Sequence, residues 1–349
     1  MFSFGKPKGL LGIDISSTTV KLVELRKKGK GYKVESYAVA PLPEGSSNED
    51  SLTEAEPVSE SIKKAVKNSR TKLKRCALAV PSSMIVTKQL TLPASLPESD
   101  MDAQIRLEAE QYIPYPIEDV NLDYEVLGPS ANSSEILDVL LVATRAENVD
   151  VRVAAAEMAG LTVELVDVES HILEKVMNEL IEDTTKNDLI AVVDYGAVMT
   201  NISVFEKGIL VFSQEQAFGG KQLTSEIMQR FGLTWHDAGL AKKEGNLPEN
   251  YIPEVLEPFK DRMTEQLNRF LQLFYASGQY GYVDKILLAG GCSFIPGVDE
   301  QIQTDLGIPT TIANPFSNCS LGSKVNPQRF TSDIPALLHA AGLSLRGLN

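Results

Sequence analysis

A strand–turn–strand pattern headed by an aspartate occurs twice in this chain, and its repetition constrains the fold more than any other feature. In the first half, an apolar strand over residues 10–15 carries Asp14 into a polar turn, and a second strand follows over residues 20–25. The same order begins again at Leu189, with Asp194 at the turn. The aspartates lie 194 − 14 = 180 positions apart. Because this spacing far exceeds a solenoid period, the pattern predicts a duplicated domain.

Strands alternate with helices in both halves, which is typical of α/β layers. Residues 163–168 are predicted to form a strand, and a helix follows them. Residues 285–289 are also predicted to form a strand, and Gly290 and Gly291 follow it. The helix after Gly297 places Val298, Ile302 and Leu306 at positions i, i+4 and i+8. With 349 residues and 43% hydrophobic content, the chain is long enough for two such lobes.

Composition excludes several classes of function. A formal net charge of −14 repels phosphate backbones, so nucleic acid is not an expected partner. The three cysteines are far apart and offer no metal-binding spacing. No segment reaches the roughly 18 uninterrupted apolar residues of a membrane-spanning helix, and no signal peptide is evident. We therefore expect a cytoplasmic protein that associates with a membrane only through a partner.

The two turns have the composition of phosphate-binding loops. A tight turn between strands directs backbone N–H groups to one side, where they can bind phosphate oxygens. In the first turn, the hydroxyls of Ser16, Ser17 and Thr18 add donors, and Lys21 supplies a positive charge. Since Asp14 cannot face a polyanion directly, Mg²⁺ with its waters is the expected intermediary. An Asp before small residues is often only an Asx turn, but two such turns, one in each lobe, favour a nucleoside triphosphate site.

Three segments follow one another along the chain: the first turn, the second turn, and the strand that ends at Gly290 and Gly291. In this order they resemble the two phosphate motifs and the adenosine motif of the actin, Hsp70 and sugar-kinase superfamily. The resemblance implies an actin-like ATPase fold, with two ribonuclease-H-like lobes around an ATP cleft. Residues 104–118, with the order Gln-Ile-Arg-Leu-Glu-Ala-Glu-Gln-Tyr-Ile-Pro-Tyr-Pro-Ile-Glu, are similar to the signature of the PilM family. Residues 11–25, 193–204 and 340–346 are similar to that family too. PilM proteins are the actin-like components of the type IV pilus inner-membrane complex, with a small subdomain displaced as in FtsA.

The resemblance also implies a domain division and a set of site residues. Lobe I would comprise residues 1–82, 144–187 and 331–349, with the small subdomain at 83–143. Lobe II would comprise 188–232 and 281–330, with a second small subdomain at 233–280. Asp14 and Asp194 would hold Mg²⁺ through water. The nucleotide-binding residues implied for ATP are these two aspartates with Ser16, Ser17, Thr18, Lys21, Gly196, Ala197, Thr200, Gly219, Gly220, Lys242, Gly290, Gly291 and Ser293.

We predict that ATP is bound without efficient turnover, and no catalytic residue is assigned. Ala197 and Val198 replace residues that are Gly or Asp in many relatives, so fewer polar contacts reach the γ-phosphate. No group that orients an attacking water can be assigned from sequence. Asp167 and Glu169 are the nearby candidates, and helix capping is at least as good an explanation for both.

The family further implies a scaffold that binds the cytoplasmic N-terminal tail of PilN and couples nucleotide state to pilus assembly. We expect the wall of that site at Met84, Val86, Tyr112 and Tyr115, whose alternative role is subdomain core. Other inner-membrane pilus components are further expected partners, and homo-oligomerisation is left open. One alternative is an FtsA-like division protein, which ends in a linker and membrane helix, unlike the closing helix before Asn349. Another is an actin-superfamily small-molecule kinase, for which no substrate-side base can be located.

Overall fold

The computed structural model describes residues 9–48, 51–131, 133–181 and 189–348. The strands are β1 Leu11–Ile15, β2 Thr19–Lys28, β3 Gly31–Pro41, β4 Ser47–Asn48, β5 Ser51–Leu52, β6 Arg75–Val80, β7 Val86–Pro93, β8 Val120–Ser130, β9 Ser133–Arg145, β10 Thr162–Val168, β11 Leu189–Tyr195, β12 Thr200–Glu206, β13 Ile209–Gln216, β14 Lys285–Ala289, β15 Thr310–Ile312 and β16 Cys319–Leu321. The α-helices are α1 Ala55–Ser69, α2 Glu98–Ala109, α3 Ala146–Met158, α4 Glu169–Glu179, α5 Gly220–Phe231, α6 Trp235–Glu244, α7 Glu257–Ala276, α8 Val298–Leu306, α9 Pro327–Asp333 and α10 Leu338–Leu345.

Two large sheets share one plan. The first has the strand order β10-β6-β1-β2-β3-β16, and the second β13-β12-β11-β14-β15. In each, three consecutive strands form an antiparallel meander (β1-β2-β3 and β11-β12-β13), and parallel strands extend the sheet beside the meander's first strand. Because the same connectivity occurs in both halves of the chain, the predicted duplication of an α/β domain is confirmed.

The remaining three-stranded sheet forms a small separate layer. Its order is β7-β9-β8, and α2 packs on one face of it around Ile105, Val139 and Leu141, which are fully buried. Residues 82–84 form a 3₁₀ turn after Pro81, and β7 therefore begins at Val86. This layer has its own hydrophobic core.

The C-terminal helix α10 lies between the two large sheets, and every one of its residues is buried. It packs directly on β1 at Gly12, where a Cβ atom would stand 1.9 Å from the Ala340 carbonyl oxygen. The Ser344 hydroxyl accepts a hydrogen bond from the Leu25 amide and donates one to the Leu10 carbonyl, both at 2.9 Å. Only glycine allows this close approach, so α10 and β1 are held at a fixed distance.

One detail of the predicted domain division differs from the strand pairing. The division places residues 319–321 in lobe II, but β16 pairs in parallel with β3 and completes the first sheet. The strand β3, over which no element is predicted from sequence, buries Val34, Ser36, Ala38 and Ala40 at alternate positions. The predicted boundary at 187/188 lies outside the described residues. None of the helices within the described ranges is long and apolar enough to cross a membrane.

Candidate functional site

The ends of β1 and β11 face each other across a cleft of about 400 Å³. Each strand enters a four-residue turn of the same form: the Ser16 amide donates to the Thr19 carbonyl at 3.0 Å, and the Gly196 amide donates to the Met199 carbonyl at 3.0 Å. We call these turns, with their flanking strands, the first and second hairpins. Both line the cleft, so the duplicated pattern meets at one site, as predicted.

In the first hairpin, the charge of Asp14 is paired within the protein. Lys21 is its register partner on β2, and the Lys21 ammonium donates a hydrogen bond to the Asp14 carboxylate at 2.7 Å. Burial lowers the pKa of Lys21, but Asp14, with smaller contributions from Asp194 and Glu169, outweighs burial and raises that pKa overall. Lys21 therefore stays a cation at the floor of the cleft.

In the second hairpin, the same position has no lysine. The register partner of Asp194 on β12 is Asn201, and the nearest basic group is His339 on α10, whose Nδ1 lies 3.7 Å from the Asp194 carboxylate. Burial raises the pKa of Asp194; His339 and Lys21 act against this, and Asp14 adds to it. A partly buried carboxylate, 23% exposed, with so little compensation favours binding of a cation from outside.

Three glycines bring other elements against the second hairpin, and a fourth leaves space beside it. A Cβ atom on Gly219 would stand 2.6 Å from the Gly196 carbonyl oxygen, and the Gly220 amide donates to that same oxygen at 3.0 Å. Gly290 adopts φ +80°, and a Cβ there would stand 2.2 Å from the Asp194 carboxylate. By contrast, a Cβ on Gly291 would meet nothing within 4 Å. The backbone at Gly291 therefore leaves open space in which a flat ligand can lie.

Most predicted nucleotide-binding residues converge on the cleft. Those that line it are Asp14, Ser16, Ser17, Thr18, Lys21, Asp194, Gly196, Ala197, Gly220, Lys242, Gly290 and Gly291. Their contacts with a nucleotide remain predictions.

Thr200, Ser293 and Gly219 do not line the cleft. Thr200 is fully buried on the opposite face of β12 from Asn201, and its hydroxyl donates to the Phe218 carbonyl at 2.8 Å. Since side chains alternate along a strand, its neighbour Asn201 faces the cleft instead. Ser293 is also fully buried, and its hydroxyl donates to the Gly290 carbonyl at 2.7 Å. Gly219 lies behind the second hairpin, so all three are supporting residues in this geometry.

Several cleft residues escaped the sequence prediction, among them Asn201, Trp235, Thr224, Asp333 and His339. The 180-residue offset that relates the hairpins could have found Asn201, since it maps Lys21 onto position 201. Trp235 is the only tryptophan of the chain and begins α6. His339 and Asp333 come from the C-terminal region, which only the tertiary packing of α10 brings to the site.

Lys242 joins the two helices on the lobe II side of the cleft. Its ammonium donates to the Gly220 carbonyl at 3.1 Å and to the Thr224 hydroxyl at 2.7 Å, so α6 is held against α5. Burial lowers the pKa of Lys242. Burial also raises the pKa of the neighbouring Cys292 thiol to about 11, which keeps that thiol unreactive.

The two carboxylates considered for orienting a water molecule lie in different places. Glu169, the first residue of α4, lines the cleft. Asp167 instead accepts a hydrogen bond from the Arg346 guanidinium and lines a second cavity. Asp167 is therefore excluded from that role by its position, and Glu169 is retained as a candidate.

The second cavity, about 520 Å³, is a groove between the small three-stranded layer and the first sheet. One side is β8 with part of β9, and the other is the C-terminal half of β10 with Val80 and His171. Both β8 and β10 are edge strands of their sheets. The lining is mainly apolar, with Asp123, Glu125 and the Asp167–Arg346 pair as its charged groups.

None of the four residues predicted to bind a partner lines this groove. Met84 and Val86 flank Ile85, and Ile85 is the residue that lines it. Tyr112 and Tyr115 are exposed elsewhere on the small layer, where Lys88 lies 4.7 Å above the Tyr112 ring centroid and Arg145 lies 5.0 Å from that of Tyr115. These four positions remain a prediction that the groove does not support.

The cleft has the donor set that a Mg²⁺–nucleotide requires, although it holds no protein cage for a bare metal. Among the described residues, no three His, Cys, Asp or Glu side chains converge as a metal site. Magnesium commonly keeps several waters and uses only one or two carboxylates together with substrate phosphates. Asp14, Asp194 and the open backbone at Gly291 fit that pattern.

Two sheets of one plan, facing each other across a cleft built from paired aspartate hairpins, define the class of actin-like ATPase folds. The family described as type IV pilus assembly protein PilM matches residues 12–348. The chain therefore belongs to the PilM family of type IV pilus assembly proteins.

Solved structures agree with this assignment. The protein in a "PilM-PilN type IV pilus biogenesis complex" is 26% identical, with a TM-score of 0.81 over 98% of this chain and 99% of that one. Ethanolamine utilization protein EutJ from Carboxydothermus hydrogenoformans is 13% identical, with a TM-score of 0.54 over 99% of this chain and 92% of that one. The activator of 2-hydroxyisocaproyl-CoA dehydratase from Clostridium difficile, with bound ADPNP, is 11% identical, with a TM-score of 0.50 over 97% and 94%. The EutJ and dehydratase-activator structures show only that the fold is shared.

Proposed function

We propose that the protein is an ATP-binding scaffold of the type IV pilus inner-membrane complex, whose nucleotide cleft is coupled to a groove that binds the N-terminal cytoplasmic tail of PilN. The observation that carries this proposal is that the two cavities share their walls. Val168 lines the groove, and the next residue, Glu169, lines the cleft. Likewise, Val80 lines the groove, and the next residue, Pro81, lines the cleft. A scaffold that responds to nucleotide needs such a connection.

In the cleft, ATP would lie with its phosphates between the hairpins. Backbone amides and hydroxyls at residues 16–18 and 196–197 would bind the phosphate oxygens, and Lys21 would add a positive charge. Asp14 and Asp194 would hold Mg²⁺ through its waters, and the metal would neutralise phosphate charge. The nucleoside would lie toward Gly291, Lys242 and Trp235, which line the cleft from the second half of the chain.

We infer that this site holds ATP with little hydrolysis. The second turn has no counterpart of the hydroxyls of Ser16, Ser17 and Thr18, so fewer donors reach the phosphates from that side. Glu169 is the one candidate for orienting a water molecule, and the Lys21 cation attracts its charge. Phosphate-release measurements would test this: wild type should turn over slowly, and Glu169→Gln should remove what turnover there is without weakening Mg-ATP binding.

The groove suits an extended, basic peptide. Edge strands carry unpaired main-chain groups to which an added strand can hydrogen-bond, while alternate side chains enter pockets. Asp123 and Glu125 lie on β8 at the groove, and cytoplasmic segments next to membrane helices are enriched in Lys and Arg. The relative of known structure was solved in a complex with PilN, and PilN is therefore the occupant we propose. Such a tail would hold the scaffold at the inner membrane.

The coupling follows from the three elements that run between the two cavities. The ends of β6 and β10 each contribute to both, and α10 extends from His339 at the cleft to Arg346 at the groove. Arg346 pairs with Asp167 on β10, so two of these elements are joined by an ion pair. A ligand that shifts any of them in one cavity changes the other, and by linkage the effect must be reciprocal in free energy.

Calorimetric titrations test both halves of the proposal. Mg-ATP and a synthetic PilN tail peptide are each titrated with and without the other at saturation. We expect binding of both, and a change of about fivefold or more in each affinity when the other ligand is present. Equal affinities in the two conditions would remove the coupling but leave the two sites.

A matched pair of variants locates the peptide. Leu140→Glu places a charge in the groove, and Tyr115→Glu places one on the exposed surface of the same layer. We expect the first to abolish peptide binding and both to retain Mg-ATP binding. Loss of peptide binding in Tyr115→Glu alone would favour the wall predicted from sequence over the groove.

A further inference from the structure

Asn201 occupies the position in the second hairpin that Lys21 occupies in the first. It is the seventh residue after Asp194, as Lys21 is the seventh after Asp14, and each is the register partner of its aspartate on the adjoining strand. Both line the cleft. The two hairpins therefore present a cation on one side of the phosphate site and a neutral amide on the other.

The amide oxygen of Asn201, Oδ1, is buried and has no hydrogen-bond partner among the described residues. Buried polar atoms are nearly always satisfied, so an unpaired oxygen beside a ligand cleft needs an explanation. The terminal torsion of asparagine is broad, and turning Oδ1 toward the cleft breaks no hydrogen bond of that oxygen. The side chain can therefore reorient when a donor arrives.

The chemistry of the site restricts what that donor is. Phosphate oxygens are acceptors and cannot satisfy Oδ1, which is itself an acceptor. Asp194 across the strand pair carries a partly buried carboxylate that attracts a divalent cation, and waters bound to Mg²⁺ are strong hydrogen-bond donors. We propose that Asn201 is a positioning residue that accepts a hydrogen bond from a water of the Mg²⁺ shell, and so makes nucleotide binding dependent on the metal. This inference rests on the proposed binding of Mg-ATP.

The test measures ATP affinity with Mg²⁺ and with EDTA, and takes the ratio of the two dissociation constants. Outer-sphere partners of metal sites commonly contribute 10–100-fold to metal affinity. We therefore expect Asn201→Ala to reduce the ratio by about tenfold or more, through weaker binding with Mg²⁺ and unchanged binding in EDTA. Asn201→Asp, which keeps the acceptor, should restore metal dependence.

Two further variants sharpen the result. Asn201→Lys copies the first hairpin, and we expect it to strengthen ATP binding in EDTA and to abolish the gain from Mg²⁺. Gln266→Ala is the matched control, because Gln266 on α7 also has a buried amide oxygen without a partner among the described residues but lies away from the cleft. It should leave the ratio unchanged.

An unchanged ratio in Asn201→Ala, with folding intact by circular dichroism, overturns the inference. So does an equal loss of affinity in Mg²⁺ and EDTA, because that result indicates a structural effect on the cleft. If wild type fails to bind ATP under both conditions, the proposed function itself is wrong, and the two failures are thereby distinguished.

Discussion

The two hairpins have the same backbone but opposite electrostatic conditions. In both, an aspartate ends a buried strand, the turn closes with the same 3.0 Å amide–carbonyl hydrogen bond, and the seventh residue pairs back with the aspartate. Asp14, however, forms an ion pair with Lys21, whereas Asp194 faces an asparagine and a histidine 3.7 Å away. The protein itself compensates the charge of Asp14 with Lys21, whereas the charge of Asp194 is left to be compensated by a bound ligand.

This difference shows what duplication leaves open to change. The strand register is set by the sheet and is the same in both lobes, because shifting it would move every buried side chain. The residues at the cleft surface are under no such restriction. A cation from one lobe and a metal-binding carboxylate from the other together suit a ligand that is itself a complex of an anion with a metal.

The largest effect should come from removing the uncompensated charge. We expect Asp194→Asn to weaken Mg-ATP binding on the order of 100-fold, because the metal loses the carboxylate that no protein cation neutralises. Asp14→Asn should lose only about tenfold, since Lys21 is then released toward the phosphates. Calorimetry measures both. Equal losses would contradict the comparison, and unchanged affinity in Asp194→Asn would show that the cleft is wrongly assigned.

The same two variants should rank in the opposite order when the loss in the free energy of unfolding is compared. Asp14→Asn leaves the Lys21 cation buried without its hydrogen-bonded partner, and we expect a loss of about 3 kcal/mol in the free energy of unfolding. Asp194→Asn removes no ion pair to lysine and should not destabilise the nucleotide-free protein. Chemical denaturation of both variants without ATP measures the difference.

The control is the double variant Asp14→Asn/Lys21→Met. Replacing both partners of a buried pair is often close to neutral, so its stability should return to within about 1 kcal/mol of wild type. A double variant as unstable as Asp14→Asn would mean that Asp14 acts through something other than Lys21.

A smaller effect should appear in the pH dependence of stability. Burial raises the pKa of Asp194 above its ordinary value of 3.8, so the folded protein binds this proton more tightly than the unfolded chain does. Stability from this group is greatest below pH 3.8 and is lost as pH rises through the folded-state pKa. Asp194→Asn lacks this loss. Its stability advantage over wild type should therefore be largest near neutral pH and shrink toward pH 4, as followed by thermal melts without nucleotide.

The smallest effect should come from making the turns alike. Ala197→Ser restores the hydroxyl that Ser17 provides in the first turn, and one additional hydrogen bond to a phosphate should tighten Mg-ATP binding about threefold. Ala94→Ser, the same change at an exposed position outside the cleft, is the matched control. A tenfold gain would mean that the missing hydroxyl, rather than the charge difference, is the main distinction between the hairpins.

Sequence predicted the parts of this molecule whose periodicity and turn chemistry are local. The paired aspartates, the Gly290–Gly291 turn and the helix with Val298 and Ile302 on its buried face all follow from short-range patterns.

What sequence could not predict depends on contacts between distant segments. Thr200 points to the buried face of β12, whereas its neighbour Asn201 points to the cleft. A motif match does not show on which face of a strand a side chain lies. His339 reaches the cleft only because α10 packs on Gly12. The groove arises from two strand edges 40 residues or so apart in the chain, and neither edge has a distinctive residue pattern.

The junction of α10 with β1 sets a condition on how the protein is made. Leu10 and Leu25 are hydrogen-bonded to Ser344 across 334 and 319 residues, so the face of the first sheet that packs on α10 cannot be covered until residues 338–345 have left the ribosome. At roughly 5–20 residues per second, the 345 − 41 = 304 residues between the end of β3 and the end of α10 take about 15–60 s to synthesise. During that time the apolar faces of β1 to β3 are exposed to chaperones and to other chains. Lobe I is thus the first part to be synthesised and the last to close.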